Sequence, residues 1–155
     1  MLRALWWIGF GAAAIWAQTL LPGVDFLAAG LVFSFQEEGH GRALLLALIF
    51  GLLQEGMGSQ PFGASVLWYW FLYLLVSLGQ YIFQPRSTPF AALLGLTLGL
   101  LHLLQTYAMA TLAVKVVPLD RVLLESLLQA VVFPLEWLLV DRLYPARMRG
   151  HGQPV

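Results

Sequence analysis

The chain has 155 residues, of which 60% are hydrophobic and only 10% are charged, and its formal net charge is zero. Soluble domains carry about 25% charged residues, so this composition and the mean hydropathy of +0.80 exclude an ordinary soluble enzyme and a disordered protein. The neutral balance offers no basic field for nucleic acid, and the lack of cysteine excludes disulfides and thiolate chemistry. The sequence therefore predicts an all-α, polytopic membrane protein.

Six apolar segments are predicted to be helices: in chain order, residues 2–21, 26–35, 43–53, 64–83, 90–112 and 122–144. Four of them reach the roughly 20 residues that a bilayer requires. The segments 26–35 and 43–53 are shorter, and are predicted to be short or distorted spans, or a re-entrant hairpin shielded by other helices. Asp120 is expected to cap the last helix, with Pro118 just outside it.

The distribution of basic residues favours six transmembrane helices. That topology places six of the eight basic residues on one face of the membrane and two on the other, and the face rich in Arg is then cytoplasmic. If residues 26–35 do not cross, the separation falls to five against three. We therefore expect a helical membrane domain over residues 1–145 with both termini cytoplasmic, and a disordered tail over 146–155. The six are Arg3, Arg42, Arg86, Arg142, Arg147 and Arg149, and the two are Lys115 and Arg121.

Polar residues inside the predicted spans require an explanation, because a charge at mid-membrane costs about 3 kcal/mol. His102 lies near the middle of the fifth helix, and Glu125, Gln129 and Glu136 share one stripe of the sixth. The simplest interpretation is that these side chains pack against other helices. Alternatively, His102 relays a proton or contacts a ligand, which requires Glu125 or Glu136 nearby, and Glu136 contacts a partner or a ligand.

Two further patterns have structural interpretations. Gly95 and Gly99 form a small-xxx-small motif, which predicts close helix packing within the bundle or with another protein. Glu37 and Glu38 are expected to lie in a solvated turn. The three histidines match no metal-ligand spacing, so we expect no metal, no cofactor and no catalytic residues.

Residues 51–63, with the sequence GLLQEGMGSQPFG, are the most distinctive segment. A helix ends in the polar pair Gln54 and Glu55, a glycine-rich turn follows, and Pro61 with Gly63 restarts the chain. Glu55 is expected to cap backbone amides of the turn or to bind a cation from a partner. The segment resembles the rod shape-determining protein MreD family, in which a GLLQD-like helix end precedes a small-residue turn and a PLG-like restart. Glu55 stands where the family more usually has Asp.

The resemblance implies a function. Proteins similar to MreD are non-enzymatic inner-membrane components of the bacterial cell-elongation machinery. They associate with an MreC-like protein and, through it, with MreB, a SEDS-family glycosyltransferase and a class B penicillin-binding protein. Their fold is similar to that of the substrate-binding subunits of energy-coupling-factor transporters. The resemblance therefore predicts a multi-pass protein of the bacterial inner membrane that binds lipid and these partners and no nucleic acid.

Two other functions remain open. A small-molecule transporter or its substrate-binding subunit would use the polar faces around Gln80, His102 and Glu136. A membrane-embedded enzyme would need His102, Glu125 and Glu136 clustered within hydrogen-bonding reach.

Overall fold

The computed structural model describes residues 2–38, 40–57, 63–84, 86–146 and 149. Across these residues the chain forms six α-helices, which confirms the predicted all-α class. They are α1 (Leu2–Leu20), α2 (Leu27–Glu37), α3 (His40–Met57), α4 (Ala64–Ile82), α5 (Thr88–Leu112) and α6 (Leu119–Leu143). The expected tail over 146–155 lies outside the described residues except for Ala146 and Arg149.

The helix boundaries differ most from the prediction in α3 and α6. Helix α3 extends over 18 residues, well beyond the predicted 43–53, because the polar residues at its ends have partners inside the protein. Helix α6 begins at Leu119, with Pro118 as its N-cap and the Pro118 carbonyl accepting from the Val122 amide at 3.2 Å. The prediction that Asp120 caps this helix is therefore wrong. Asp120 lies in the first turn, where its charge complements the helix dipole.

Helix α2 is the centre of the bundle. All eight residues from Leu27 to Ser34 are buried, since α1, α3, α4 and α6 surround this helix. A helix that is apolar on every side is stable only when it is enclosed in this way. The ring of Phe10 packs so closely on Gly30 that a Cβ there would lie 2.2 Å from it. With 11 residues, α2 is about 16 Å long, roughly half the thickness of a bilayer.

Helices α5 and α6 form the closest helix pair. A Cβ at Gly95 would lie 2.6 Å from the Ala130 carbonyl oxygen, and one at Gly99 would lie 2.5 Å from that of Ser126. These two glycines therefore let the backbones touch, as small-xxx-small motifs do. The motif was predicted to pack either within the bundle or against another protein, and the structure shows that it packs within the bundle.

Three helices of the described part, α4, α5 and α6, are long and apolar enough to cross a membrane. Leu96, Leu100 and Leu104 line the outer face of α5 and are 58–65% exposed. An apolar surface of this kind needs a lipid environment. The fold is thus that of a helical membrane protein.

Candidate functional site

A cavity of about 420 Å³ lies at the end of the bundle where α1 joins α2, α3 joins α4 and α5 joins α6. Polar and charged side chains from these helices and from the turn before α2 line it. The cavity is partly open to the outside, so a molecule of the right size can enter it. The charged and hydrogen-bonding residues that matter most are Asp25, Gln54, Glu55, His102, Arg121 and Glu125.

Asp25 organises the floor of this cavity from the turn between α1 and α2. Its Oδ2 accepts a hydrogen bond from Trp68 Nε1 at 2.7 Å, and its Oδ1 accepts bonds from neighbouring side chains and from the Leu27 amide. All of these donors are neutral, so among the described residues no cation neutralises Asp25. The remaining donors to Oδ1 are Gln54 Nε2 at 3.1 Å, Gln18 Nε2 at 3.3 Å and Tyr69 OH at 3.4 Å.

The turn that carries Asp25 is pressed against α6. The Asp25 amide donates to Gln129 Oε1 at 2.7 Å, and Gln129 is completely buried. Gly23 adopts φ +93°, and a Cβ there would lie 2.5 Å from Cγ of Glu125. Both the positive φ and the lack of space require glycine at this position.

Glu55 joins the end of α3 to the start of α4. Its Oε2 accepts from the Gly63 amide at 3.1 Å and its Oε1 from the Ser65 amide at 2.8 Å. Gly63 is the N-cap of α4 and Ser65 lies in its first turn. Amides at this end have no partner within the helix, and the helix dipole favours a negative charge there. Glu55 thus caps backbone amides where the chain restarts, which is one of the two roles expected for it. Gly63 has φ +93°, whereas the predicted site residue Pro61 lies outside the described residues.

His102 and Glu125 meet on the wall of the cavity, because α5 and α6 pack side by side. Oε2 of Glu125 lies 3.7 Å from His102 Nε2, which is longer than a hydrogen bond, while its Oε1 accepts from Arg121 Nε at 2.9 Å. The ring of His102 also makes an edge contact with Trp68, with centroids 6.2 Å apart. The structure thus brings together two of the predicted site residues.

Glu136 does not join them. It lies three helical turns beyond Glu125 on α6, a separation of about 16 Å. Its Oε2 is buried and has no hydrogen-bond partner among the described residues. Gln80, on another predicted polar face, lines a separate pocket of about 30 Å³. The cluster of His102, Glu125 and Glu136 that an enzyme would need is therefore not assembled, although Glu136 interacts electrostatically with Asp25. The polar face around Gln80 lies apart from the cavity.

Glu38 has a second polar network around it, at the opposite end of the bundle. Its Oε2 accepts from Arg42 at 3.3 Å and Arg3 at 3.5 Å, and its Oε1 accepts from Tyr144 OH at 2.8 Å and Trp7 Nε1 at 3.5 Å. Burial and the bond to Glu38 raise the pKa of Tyr144 to about 12, so its hydroxyl remains a donor at neutral pH.

The expectation that Glu37 and Glu38 lie in a solvated turn is wrong. The side chains of Glu37 and Glu38 are only 4% and 2% exposed, and Glu37 is ion-paired with Arg86. Sequence reasoning missed Glu38 and Asp25 for the same reason, since both looked like polar residues of a turn. Aromatic hydrogen-bond donors that are distant in the sequence hold both carboxylates inside the protein: Trp7 and Tyr144 for Glu38, and Trp68 and Tyr69 for Asp25.

No group of three or more His, Asp or Glu residues in the described part of the chain could hold a metal ion. What the site offers is a polar cavity with carboxylates, an aromatic wall and hydrogen-bonding amides. No protein-family model, curated protein or solved structure matches this chain.

Proposed function

We propose that this protein is an MreD-like, non-enzymatic component of the bacterial cell-elongation machinery in the inner membrane. In this role it binds an MreC-like protein and thereby helps to organise MreB and the peptidoglycan synthases. The observation that carries the proposal is the Glu55 cap. Within the segment that resembles the MreD family, Glu55 at the end of α3 accepts hydrogen bonds from backbone amides at the start of α4.

The proposed topology has six transmembrane helices with both termini in the cytoplasm. Four of the six arginines expected on the cytoplasmic face do gather at one end, which supports this orientation. Arg3 and Arg42 meet at Glu38, Arg86 pairs with Glu37, and Arg149 pairs with Asp141. Helices α1 and α3 also expose apolar side chains that lipid would cover; examples are Leu5, Ile8, Leu45, Leu48 and Leu52.

Depletion of the protein tests the proposal directly. Rod-shaped cells should become spheres, and purification of the protein should recover the MreC-like partner. Complementation with Glu55→Ala should fail to restore rods, whereas Asp141→Asn, at the other end of the bundle, should restore them. Unchanged cell shape after a clean deletion would contradict the proposal.

A second candidate is the membrane-embedded binding subunit of a small-molecule transporter. The 420 Å³ cavity favours it, because ligand sites usually measure about 300–1,000 Å³ and combine apolar walls with a few convergent polar groups. A deletion that leaves cell shape unchanged and abolishes uptake of one nutrient would favour this function over the first. Uptake that is normal for every nutrient tested would count against it.

A further inference from the structure

We propose that the cavity beside Asp25 binds an organic cation, an ammonium or guanidinium group, carried by a free small molecule or by the side chain of a partner. This inference goes beyond both proposed functions, because it concerns the charge and chemistry of the group that enters. Neither a change in cell shape nor a loss of uptake decides it.

The charge of the lining is the first argument. Among the described residues that line the cavity, three carry carboxylates, Asp25, Glu55 and Glu125, and one, Arg121, carries a guanidinium. Arg121 is paired with Glu125, and its side chain is 67% exposed, so it neutralises the rim and not the floor. The cavity therefore has an excess of negative charge, which favours a cation in a partly desolvated site.

The state of Asp25 is the second argument. Its hydrogen bonds come from one backbone amide, two amide side chains, an indole and a phenol, none of which carries a positive charge. Such donors hold a carboxylate in place and leave its charge uncompensated. Because Asp25 is one of the residues that line the cavity, a cation in the cavity lies close to its carboxylate.

The other walls suit a donor-rich cation. The Gln105 amide donates to the Ala64 carbonyl at 2.8 Å, while its Oε1 is buried without a partner among the described residues. That oxygen is an acceptor that an ammonium or guanidinium could use. Trp68 lines the same cavity, and indole rings attract organic cations. The volume far exceeds that of a bare ion and matches an organic group.

Three probes of equal shape test the inference on the full chain in nanodiscs of zwitterionic lipid: benzamidinium, benzamide and benzoate. The readout is the indole N–H resonance of Trp68 in the ¹⁵N-labelled protein, assigned with Trp68→Phe. We expect benzamidinium to shift this resonance saturably and to bind at least tenfold more tightly than benzamide, with no binding of benzoate. Equal affinity for benzamidinium and benzamide would overturn the proposal, without any variant being needed.

Variants locate the charge that is responsible. Asp25→Asn and Glu125→Gln should each weaken benzamidinium binding at least fivefold, and the second variant serves if the first fails to fold. Asp120→Asn removes a carboxylate at the same end of the bundle that does not line the cavity, and it should bind as the unmodified chain does. Unchanged binding by both Asp25→Asn and Glu125→Gln would overturn the proposal.

A second arm distinguishes the two sources of the cation. It replaces benzamidinium by a designed single-span helix that carries one Arg near its end, with Gln in the control helix. Binding of benzamidinium alone assigns the cavity to a small molecule, and Arg-dependent binding of the helix alone assigns it to a partner's side chain. If neither probe binds saturably, the inference is wrong.

Discussion

Glu38 and Asp25 lie at the two ends of α2, and each accepts hydrogen bonds from several other helices. Glu38 is surrounded by two arginines and two aromatic donors, which neutralise its charge and pack around its carboxylate. Asp25 is held by neutral donors only and borders a cavity. A carboxylate at each end of α2 thus has a different role. Glu38 stabilises the packing of the helices, whereas Asp25 leaves a charge without a cationic partner beside a cavity.

The largest expected effect comes from Glu38→Ala. It would leave the buried Trp7 and Tyr144 donors without an acceptor. It would also remove two ion pairs, which contribute less to the free energy of unfolding than these hydrogen bonds do, because both arginines are partly exposed. We expect the free energy of unfolding to fall by about 3 kcal/mol, measured by denaturant titration in micelles. The control Asp141→Asn breaks a partly exposed pair with Arg149 and should cost less than about 0.5 kcal/mol. Equal losses in the two variants would refute the role of Glu38.

Gly99→Ala tests the spacing of α5 and α6, on which the meeting of His102 and Glu125 depends. The added methyl would collide with the Ser126 carbonyl and should destabilise the protein by about 2 kcal/mol. The same titration measures it. Gly9→Ala is the matched control, since a Cβ there meets nothing within 4 Å, and it should be neutral or slightly stabilising. A harmless Gly99→Ala would mean that the helix pair is not as close as described.

Glu55→Ala removes the cap at the start of α4 and should cost about 1 kcal/mol. Hydrogen exchange of the Gly63 and Ser65 amides provides a local measurement, and both should exchange faster than in the unmodified chain. Gln54→Ala removes the neighbouring side chain, whose partner is Asp25, and should leave these two amides protected. Loss of protection in Gln54→Ala as well would show that the effect is not specific to Glu55.

The smallest expected effect concerns how benzamidinium binding depends on pH. Burial raises the pKa of Asp25 above its usual value, although hydrogen bonds from Trp68 and others oppose this shift. A protonated Asp25 is neutral, so benzamidinium binding should weaken as the pH falls through this raised pKa, and it should do so at a higher pH than an unshifted carboxyl would require. The dependence should persist in His102→Asn, and its disappearance there would assign the proton to His102. The other titratable or charged groups that face Asp25 or the cavity are Glu55, Tyr69, Arg121, Glu125 and Glu136.

The helices and their packing glycines were predictable because their signals are local. Apolar runs gave the six helices, mostly to within a few residues, and the Gly95 and Gly99 motif did mark a close helix contact. The polar networks were not predictable. Glu38 meets Tyr144 across 106 positions of sequence, and Asp25 meets Gln129 across 104, so no pattern in either neighbourhood announces the pairing. Sequence placed Glu55 correctly because its partners are only 8 and 10 residues away.

The short length of α2 has a consequence for the shape of the whole molecule. Near Glu38 a cross-section cuts six helices, whereas beyond Asp25 the central helix is missing and five helices surround its place. The cavity therefore exists because the central helix α2 is short, and the depth of the cavity depends on the residue at which α2 begins. Extending α2 by one or two turns before Leu27 would fill the cavity. The length of this helix therefore decides whether the bundle is fully packed or has a binding cavity.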